Sequence, residues 1–515
     1  MRMFAGRSRL GLAAVIVFSL SLRVWGNGFG LPAFTHYHPD EHVLVDRATA
    51  ILQTGDWAPE RLNYPSFYAY VQVGGLAASY VLGEALGRWS AMPDYPLPHY
   101  FQVARATTAL FGTLTVVVAY LAGRSLFGTR AGLLGAALLG GNYLHIIHSH
   151  YTTLDVAAGF WAALCLFFSV AWWRRGGALP GVIAGLCAGL AGATKYNAAL
   201  VVVVALAVPL LEGPSARGLA RLALPVGSLA LGFFGGNPFA LAHWDRFVAG
   251  LSSVLGHYGT AQPGFEGLGN WRWYLGILFT SADAAATALC LVGLLTLLVR
   301  DPRRGLLLLS FPLVYFVLVS SFVVRFERNL IPILPFLALA GGWLVDTLAD
   351  RTIRHGLAAN AAAAAAVLLV LAAPLLAGVA FDRQLAGTDH REVAGRWLEQ
   401  NAEPGWRIAI EHYAIPFDHS AYDVTDVVRI TDHDLAWYRQ HGYDLLVVSD
   451  GVWEVLRRQA RHYGERLAAY DRLVAGTDLL AEFVPAPPAL VVAGYPSVGV
   501  YHFAPVRIYR LVEGG

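Results

Sequence analysis

Charged side chains are scarce in this chain. Of its 515 residues, 14% are charged and 56% are hydrophobic, and the mean hydropathy is +0.50. One soluble core would not need apolar runs that recur along the whole length, so the composition predicts a polytopic α-helical membrane protein surrounded by lipid. The formal net charge of +2 favours neither nucleic acid nor an acidic partner, and no nucleic-acid partner is expected.

Cysteine and lysine are also rare. The three cysteines, Cys165, Cys187 and Cys290, lie within apolar runs and are predicted to be small buried side chains rather than disulfides or metal ligands. Lys195 is the single lysine among 37 basic residues, and the others are arginine. Because arginine supplies almost all of the positive charge, the one lysine is a candidate for a specific role.

The N-terminal segment is predicted to be an uncleaved first membrane helix. Three arginines in residues 1–9 precede an apolar run over residues 10–22, and no small-residue cleavage site follows. This positive charge places the N-terminus in the cytoplasm. Arg23, at the end of the run, is costly in lipid, so it is either a functional residue or a side chain that snorkels to the interface.

The next apolar run, residues 67–86, is predicted not to cross the membrane. Five arginine-rich loops fall on the cytoplasmic side only if this run stays outside, as a juxtamembrane or re-entrant helix. Those loops are residues 124–130, 174–175, 217–221, 300–304 and 351–354. Residues 27–100 are therefore predicted to form a first outer loop with juxtamembrane helices.

Ten further membrane helices are predicted, which makes about eleven with the first. They lie at about residues 101–123, 131–149, 156–173, 180–194, 197–212, 222–241, 275–299, 305–324, 329–348 and 357–380. Residues 1–380 are thus assigned to a transmembrane domain whose C-terminal end lies outside.

Charge returns after residue 380, and the pattern alternates between helix and strand. Helices are predicted at residues 390–400 and 450–468, and strands at residues 407–411 and 443–449. Residues 381–515 are therefore predicted to form a small soluble α/β domain on the extracytoplasmic side.

A polar cluster, His-Tyr-His-Pro-Asp-Glu-His, follows the first helix at residues 36–42. Two adjacent carboxylates, Asp40 and Glu41, stand there among three histidines at the predicted membrane surface. A carboxylate in such a place suits a general base. An ordinary solvated acidic loop is the alternative interpretation.

Three other places put costly polar side chains at the same predicted face of the membrane, namely residues 145–155, 194–197 and 325–328. Lys195, Arg325 and Arg328 are candidates for binding a phosphate group through charge-assisted hydrogen bonds, and snorkelling is the alternative for each. Arg328 precedes Pro332 by four residues, where a broken helix can direct it inward.

The sequence identifies no cofactor, but a divalent metal ion is a candidate. His36, His38, His148 and Asp155 carry ligand atoms that such an ion accepts. Hydrogen bonding, or plain placement at the interface, is the alternative for the histidines.

The order of these motifs resembles that of a known family. The motifs are Pro39-Asp40-Glu41, Gly55-Asp56-Trp57, Tyr64-Pro65 before an aromatic run, Arg105 with Gly112, Tyr151 to Asp155, Thr194-Lys195 and Arg328 to Pro335. Over roughly residues 10–345 the chain resembles a GT-C glycosyltransferase of the protein O-mannosyltransferase and aminoarabinose transferase type (glycosyltransferase family 39-like). Tyr64 departs from the aminoarabinose branch, which has a basic residue in that region, so the resemblance does not favour that branch.

The resemblance implies a lipid-linked sugar donor, usually a polyprenyl phosphate. It implies that Asp40 is the catalytic base and that Glu41 assists or orients it. Asp155 would shape the acceptor or metal site, whereas Lys195 and Arg328 would bind the phosphate of the donor. Further candidates for substrate contacts are Tyr64, His150, Tyr151 and Arg325.

Together with this resemblance, these residues predict an inverting transfer of sugar to a hydroxyl of a glycan, lipid or protein acceptor, at the outer face of a bacterial or archaeal cell membrane. A phosphate leaving group needs cations rather than a strong general acid, and the sequence offers one base and two cations. The alternative from another class is a transporter or flippase of lipid-linked glycans. It would use the same cations but no base, and it would be expected to show internal repeats, of which none is convincing.

Overall fold

The first 385 residues fold mainly as helices, because helices satisfy the backbone hydrogen bonds of apolar segments internally. The computed structural model describes residues 2–32, 38, 40–213, 216–260, 269–352, 357–412, 414–415, 422–485 and 487–511. The helices of this part are α1 (Arg2–Val24), α2 (Glu41–Thr54), α3 (Phe67–Ala85), α4 (Leu97–Phe127), α5 (Thr129–Gly140), α6 (Tyr143–Ser149), α7 (Leu154–Arg175), α8 (Leu179–Thr194), α9 (Val202–Glu212), α10 (Ala216–Arg221), α11 (Ala223–Gly236), α12 (Pro238–Ala242), α13 (Trp244–Gly259), α14 (Asn270–Thr280), α15 (Ala284–Arg300), α16 (Pro302–Ser321), α17 (Leu334–Thr352) and α18 (Leu357–Leu385). Short 3-10 helices lie at Met92–Asp94, Tyr196–Val201 and Glu327–Ile333.

Six helices within the described ranges are long and apolar enough to cross a membrane, and seven are if the bent pair of α14 and α15 is counted as one span. Neither α1 nor α3 is among these helices. The sequence predicts that α1 crosses the membrane and that α3 does not cross it. Several predicted spans are divided into shorter helices. The number of eleven therefore stays a prediction, whereas the polytopic helical fold is confirmed.

The unbroken helix predicted at residues 275–299 is wrong, because the segment forms two helices. α14 and α15 meet at an angle of 111°, and Asp283 lies at the corner between them. Its carboxylate accepts hydrogen bonds from the backbone N–H groups of Tyr143 and Leu144 at 2.9 and 3.0 Å. The first N–H groups of a helix have no partner within the helix, so Asp283 caps α6 from a distant segment and holds the bend.

The unbroken helix predicted at residues 131–149 is also wrong, because the segment forms two helices. α5 ends at Gly140 and α6 begins at Tyr143. Between them the side chain of Asn142 accepts a hydrogen bond from the N–H of His145 at 3.0 Å, as an asparagine does at the start of a helix. α6 is fully buried, so the break carries its histidines into the protein interior.

A helix that was not predicted, α13, lies against the loop before α3. A Cβ added to Gly250 would come within 2.5 Å of the backbone of Leu62, so only glycine allows this approach. At the other end of α13 the carbonyl of Tyr258 accepts the N–H of Val323 at 2.8 Å. α13 therefore fastens the loop that carries Tyr64 to the segment after α16.

After α18 the chain forms a five-stranded mixed sheet with helices, which we call the sheet domain (residues 390–511). Its strands are β1 (Arg407–Glu411), β2 (Asp423–Val427), β3 (Leu445–Ser449), β4 (Thr477–Phe483) and β5 (Val506–Leu511), and its helices are α19 (His390–Asn401), α20 (Leu435–Gln440), α21 (Asp450–Arg457), α22 (Ala460–Ala475), α23 (Ala489–Val492) and α24 (Pro496–His502), with a 3-10 turn at Ile430–Asp432. The strand order is β2-β1-β3-β5-β4. β1 runs parallel to β2 and β3, and β5 runs antiparallel to β3 and β4.

Two of the three buried strands, β1 and β3, are predicted from the sequence, whereas the buried strand β5 is not. β1, β3 and α19 lie where they are predicted, because β1 and β3 are short apolar runs and α19 is amphipathic. β2, β4 and β5 were not predicted. β2 and β4 are edge strands with partly exposed side chains and no clear alternation. The helix predicted at residues 450–468 is divided into α21 and α22.

The last two helices of the sheet domain pack onto the membrane-type helices. The hydroxyl of Tyr143 donates to the carbonyl of Val491 at 2.9 Å, and the hydroxyl of Tyr495 donates to Asp283 at 2.6 Å. The sheet domain is thus attached through α23 and α24 as well as through the continuous chain after α18.

Glu411 ends β1 and is buried at the carboxyl edge of the sheet. Its carboxylate accepts hydrogen bonds from the N–H groups of Ile430 and Ser449 at 2.9 and 3.0 Å, and from Nε1 of Trp453 at 3.2 Å. Burial raises the pKa of Glu411 to about 8, and these donors oppose the rise.

We expect the sheet domain to lose stability as the pH rises from about 4.5 to about 8. Because the pKa of Glu411 is higher in the folded state, its contribution is complete below the unfolded pKa and is lost as the pH rises through the folded pKa. Glu411→Gln should flatten this dependence. Thermal unfolding of the detergent-purified protein, followed by near-ultraviolet circular dichroism from pH 4.5 to 9, measures it. Glu454→Gln, an exposed carboxylate on α21, is the control, and an equal effect of both variants would contradict the assignment.

Candidate active site

Asp40 precedes α2 directly but does not cap it. Its side chain makes no hydrogen bond to the first turn of the helix, and its backbone N–H donates to Nδ1 of His38 at 3.2 Å. The carboxylate accepts instead from Nη2 of Arg328 at 2.8 Å and from the hydroxyl of Tyr64 at 3.4 Å. The side chain is 23% exposed, so a ligand can reach it.

Glu41 is fully buried and its two oxygens are occupied. Arg105 donates Nε and Nη2 to them at 2.9 Å each, and the N–H of Thr152 donates to one of them at 3.0 Å. Arg105 also donates to the carbonyl of Phe29 at 2.8 Å and lies 3.6 Å over the ring of that residue. This paired, desolvated carboxylate fixes the start of α2 against α4 and so positions its neighbour Asp40.

A second group of charges lies beside Asp40. Asp155, in the first turn of α7, accepts from Nζ of Lys195 at 2.5 Å and lies 3.5 Å from Nε of Arg328. Lys195 also donates to Oδ1 of Asn329 at 2.7 Å, and the side-chain amide of Asn329 donates to the hydroxyl of Tyr274 at 2.9 Å. Arg328 therefore bridges the carboxylates of Asp40 and Asp155.

Helix breaks bring these cations inward. Lys195 has an extended backbone between α8 and the 3-10 helix Tyr196–Val201. Arg328 belongs to the 3-10 helix Glu327–Ile333, which contains Pro332 and leads into α17. A proline lacks the N–H that a regular α-helix needs, and the backbone around Pro332 forms a 3-10 helix that runs directly into α17.

We call Asp40, Tyr64, Asp155, Lys195, Arg328 and Asn329 the central cluster. The side chains of Lys195 and Arg328 are each 12% exposed, which leaves them within reach of a bound anion. Burial, and next the carboxylate of Asp40, raise the pKa of Tyr64, so the phenol keeps its proton and donates to Asp40. The cluster combines one accessible carboxylate with two cations.

The other predicted contact residues also bond to residues outside the central cluster. Arg325 donates Nη1 to Asn270 at 3.1 Å and lies 5.4 Å from the centre of the Trp273 ring. His150 is fully buried, with hydrogen bonds to the carbonyls of Ile146 at 3.0 Å and Trp25 at 3.1 Å. Tyr151 is hydrogen-bonded to His502 of the sheet domain.

Known proteins share both a sequence segment and the architecture of this chain. Residues 99–239 match the family model described as dolichyl-phosphate-mannose-protein mannosyltransferase. ArnT from Cupriavidus metallidurans in the apo state is 16% identical, with 99% of this chain and 98% of that chain covered and a TM-score of 0.51. The oligosaccharyltransferase of Archaeoglobus fulgidus tethered to an acceptor peptide is 13% identical, with 92% of this chain and 72% of that chain covered and a TM-score of 0.51. The chain has the GT-C fold.

The GT-C fold confirms the predicted resemblance and the predicted fold class. Together with the family match it indicates a membrane glycosyltransferase. The matched segment contains Arg105, Asp155 and Lys195 but neither Asp40 nor Arg328. No sequence of a curated protein matches the chain.

The described part of this GT-C chain contains no complete set of ligands for the predicted metal ion. No three or more His, Cys, Asp or Glu side chains come together there in a way that could hold a metal ion. Asp155 is already paired with two cations, which repel a divalent ion. His38 and His148 lie on Tyr151, with ring centres 4.8 and 5.8 Å away, and His36 lies outside the described residues.

Some residues of the GT-C chain that hold the site together were not predicted. Asn329 accepts a hydrogen bond from Lys195. Its position beside Arg328 and before a proline is the sequence feature that could have identified it as a site residue. His502 offered no local signal, because its partner Tyr151 is 351 residues away. The snorkelling interpretation of Arg23 is wrong, since this arginine is fully buried and bonds to the carbonyl of Gly140 and to His145 at 3.0 Å each.

Proposed function

We propose that the chain transfers a sugar from a polyprenyl-phosphate-linked donor to a hydroxyl of a glycan, lipid or protein acceptor, with inversion and with Asp40 as the base. The observation that carries this proposal is the convergence of Asp40, Lys195 and Arg328. They come from the start of α2, the end of α8 and the segment before α17, and they meet in one partly accessible cluster.

The cations of the cluster suit a phosphate group. In the structure Arg328 contacts Asp40 at 2.8 Å and Asp155 at 3.5 Å, while Lys195 contacts Asp155 at 2.5 Å. A donor phosphate would form charge-assisted hydrogen bonds with both cations and would replace Asp40 as a partner of Arg328. Donor binding would therefore free the carboxylate of Asp40 for the acceptor.

The reaction then requires one displacement. The acceptor hydroxyl loses its proton to Asp40 while its oxygen forms a bond to the anomeric carbon. The bond between that carbon and the phosphate oxygen breaks, and the lipid phosphate leaves with the electron pair. Lys195 and Arg328 stabilise the negative charge on the leaving group, and attack from the opposite face inverts the anomeric carbon.

Other residues of the site orient or hold the side chains that take part in this step. Tyr64 donates a hydrogen bond to Asp40 and orients its carboxylate. Glu41 acts through its buried pair with Arg105, which holds the start of α2. Asp155 holds Lys195 in place.

Two structural relatives support a lipid phosphate as leaving group. ArnT from Cupriavidus metallidurans has been solved bound to undecaprenyl phosphate, with a TM-score of 0.52 to this chain, 16% identity, and 99% of this chain and 98% of that chain covered. The oligosaccharyltransferase AglB of Archaeoglobus fulgidus has been solved with a dolichol-phosphate and an inhibitory peptide, with a TM-score of 0.50, 14% identity, and 93% and 73% coverage.

We also propose the orientation in the membrane that the arginine-rich loops predict. Residues 1–380 would form the catalytic membrane domain, and residues 27–100 its first outer loop. Residues 381–515 would form an extracytoplasmic domain. The reaction would then take place at the outer face of a cell membrane, with the N-terminus in the cytoplasm.

Lys195→Met is expected to weaken the binding of polyprenyl phosphate by about 10- to 100-fold, because a charge-assisted hydrogen bond to the phosphate is lost. Titration of the detergent-purified protein with a fluorescent short-chain polyprenyl phosphate measures the dissociation constant. Lys195→Arg should recover part of the loss. The control is Arg175→Met, which removes an exposed cation at the C-terminal end of α7, far along the helix from Asp155. Equal binding by Lys195→Met and Arg175→Met would contradict the assignment.

Consumption of the donor tests the proposal as a whole. Membranes that contain the protein are expected to release sugar from a labelled polyprenyl-phosphate donor when a mixed acceptor extract is present. A parallel sample treated with a chelator decides whether release depends on a divalent metal ion. If label crosses the membrane but stays on the lipid, the transporter alternative replaces this proposal.

A further inference from the structure

α24 carries a side chain of the sheet domain into the neighbourhood of the base. His502, the last residue of α24, is 2% exposed. The hydroxyl of Tyr151 is hydrogen-bonded to its Nε2, and the two rings stack with centres 5.6 Å apart and an angle of 15°. Phe29 and Phe381 meet the same imidazole edge-on, each with its ring centre 5.5 Å away. The position of His502 is therefore fixed on several sides.

Contacts continue from Tyr151 to the base. The ring of His38 packs on the ring of Tyr151 with centres 4.8 Å apart. Nδ1 of His38 accepts the backbone N–H of Asp40 at 3.2 Å. His502, Tyr151, His38 and Asp40 thus form an unbroken series of contacts from the sheet domain to the carboxylate.

We propose that His502 is a positioning residue for Asp40, so that the sheet domain completes the active site. This inference rests on the proposed function of Asp40. Tyr151 keeps one orientation because its buried hydroxyl has an acceptor in His502. That orientation supports the ring of His38, which in turn holds the backbone of Asp40 at the start of α2.

The protonation state of His502 agrees with this role. Burial, and then the positive charge of Arg391, lower the pKa of His502 well below its ordinary value, while Asp389 opposes the shift. The ring is therefore neutral, and in the tautomer with its hydrogen on Nδ1 the Nε2 atom accepts the O–H of Tyr151.

The deciding variant is His502→Phe, which keeps an aromatic ring on Tyr151 and removes the acceptor. We expect kcat to fall by about 10- to 100-fold, since small displacements of a reacting group have effects of this size. The KM for the donor should stay within about twofold, because Lys195 and Arg328 are untouched. His502→Gln, whose side-chain oxygen can accept the same hydrogen bond, should recover activity to within about threefold of wild type.

Tyr151→Phe removes the other half of the hydrogen bond. Its effect on kcat should equal that of His502→Phe, and the double variant should be no worse than either single variant, because both break one interaction. His462→Phe changes an exposed histidine of the same domain and is the control. A proportional fall of kcat, donor affinity and melting temperature in His502→Phe would show a merely structural role and overturn the proposal.

Hydrogen exchange gives a readout that does not depend on activity. In His502→Phe, amides of residues 38–54 should exchange faster than in wild type or His462→Phe, because the start of α2 is less firmly held. Unchanged exchange there would overturn the coupling. If wild type consumes no donor, the proposed function fails, while the exchange comparison still decides whether His502 holds the loop of Asp40.

Discussion

Asp40→Asn should lower the rate of sugar transfer by at least about a thousandfold, within the range that a positioned general base contributes. Asparagine has nearly the same shape, and its one oxygen can still accept the hydrogen bond from Arg328 at 2.8 Å. Its amide nitrogen replaces the carboxylate oxygen that accepts from Tyr64 at 3.4 Å, so only that longer contact is lost when the base is removed. Binding of the donor should be equal or tighter, because Arg328 no longer pairs with a carboxylate.

The measurement is single-turnover release of labelled sugar from the lipid, with polyprenyl phosphate binding measured on the same preparations. Asp46→Asn is the matched control, since Asp46 is an exposed carboxylate on the same helix, α2. Transfer by Asp40→Asn at the rate of Asp46→Asn would show that Asp40 is not the base.

Arg105→Met is expected to destabilise the protein by about 3–5 kcal/mol, because it leaves the carboxylate of Glu41 buried without a cation. It also removes the hydrogen bonds from Arg105 to the carbonyls of Asn27 and Phe29. Since these contacts join α2, α4 and the segment after α1, transfer activity should fall together with stability.

Thermal unfolding in detergent measures this effect through the apparent melting temperature. The double variant Glu41→Met/Arg105→Met should recover part of the loss, because two apolar side chains replace a buried ion pair. Recovery should be incomplete, since the N–H of Thr152 loses its acceptor in Glu41. A single variant as stable as wild type would contradict the view that this pair fixes α2.

The main polar residues of the cluster were predictable from the sequence because they interrupt an apolar background. Asp40, Asp155, Lys195 and Arg328 are costly in or near lipid, so their presence in loops on one predicted face indicated a site. The structure brings these four together. Their roles in binding and catalysis stay predictions, because geometry alone does not test them.

What was not predictable depends on distant partners. The bend between α14 and α15 forms around Asp283, whose hydrogen-bond partners on α6 are about 140 residues away. The burial of Glu41 as an ion pair depends on Arg105, whose side chain reaches Glu41 only when α2 packs on α4. Local periodicity carries no information about such contacts, and it is equally weak for the partly exposed edge strands β2 and β4.

The anomeric configuration of the transferred sugar tests the central claim most directly. A donor of known configuration, labelled at the anomeric carbon, would be incubated with the purified protein in lipid and with the acceptor that receives the label. Nuclear magnetic resonance of the product then gives the configuration of the new bond. One displacement with Asp40 as base predicts the opposite anomer in the product. A product with the configuration of the donor would contradict the proposed mechanism.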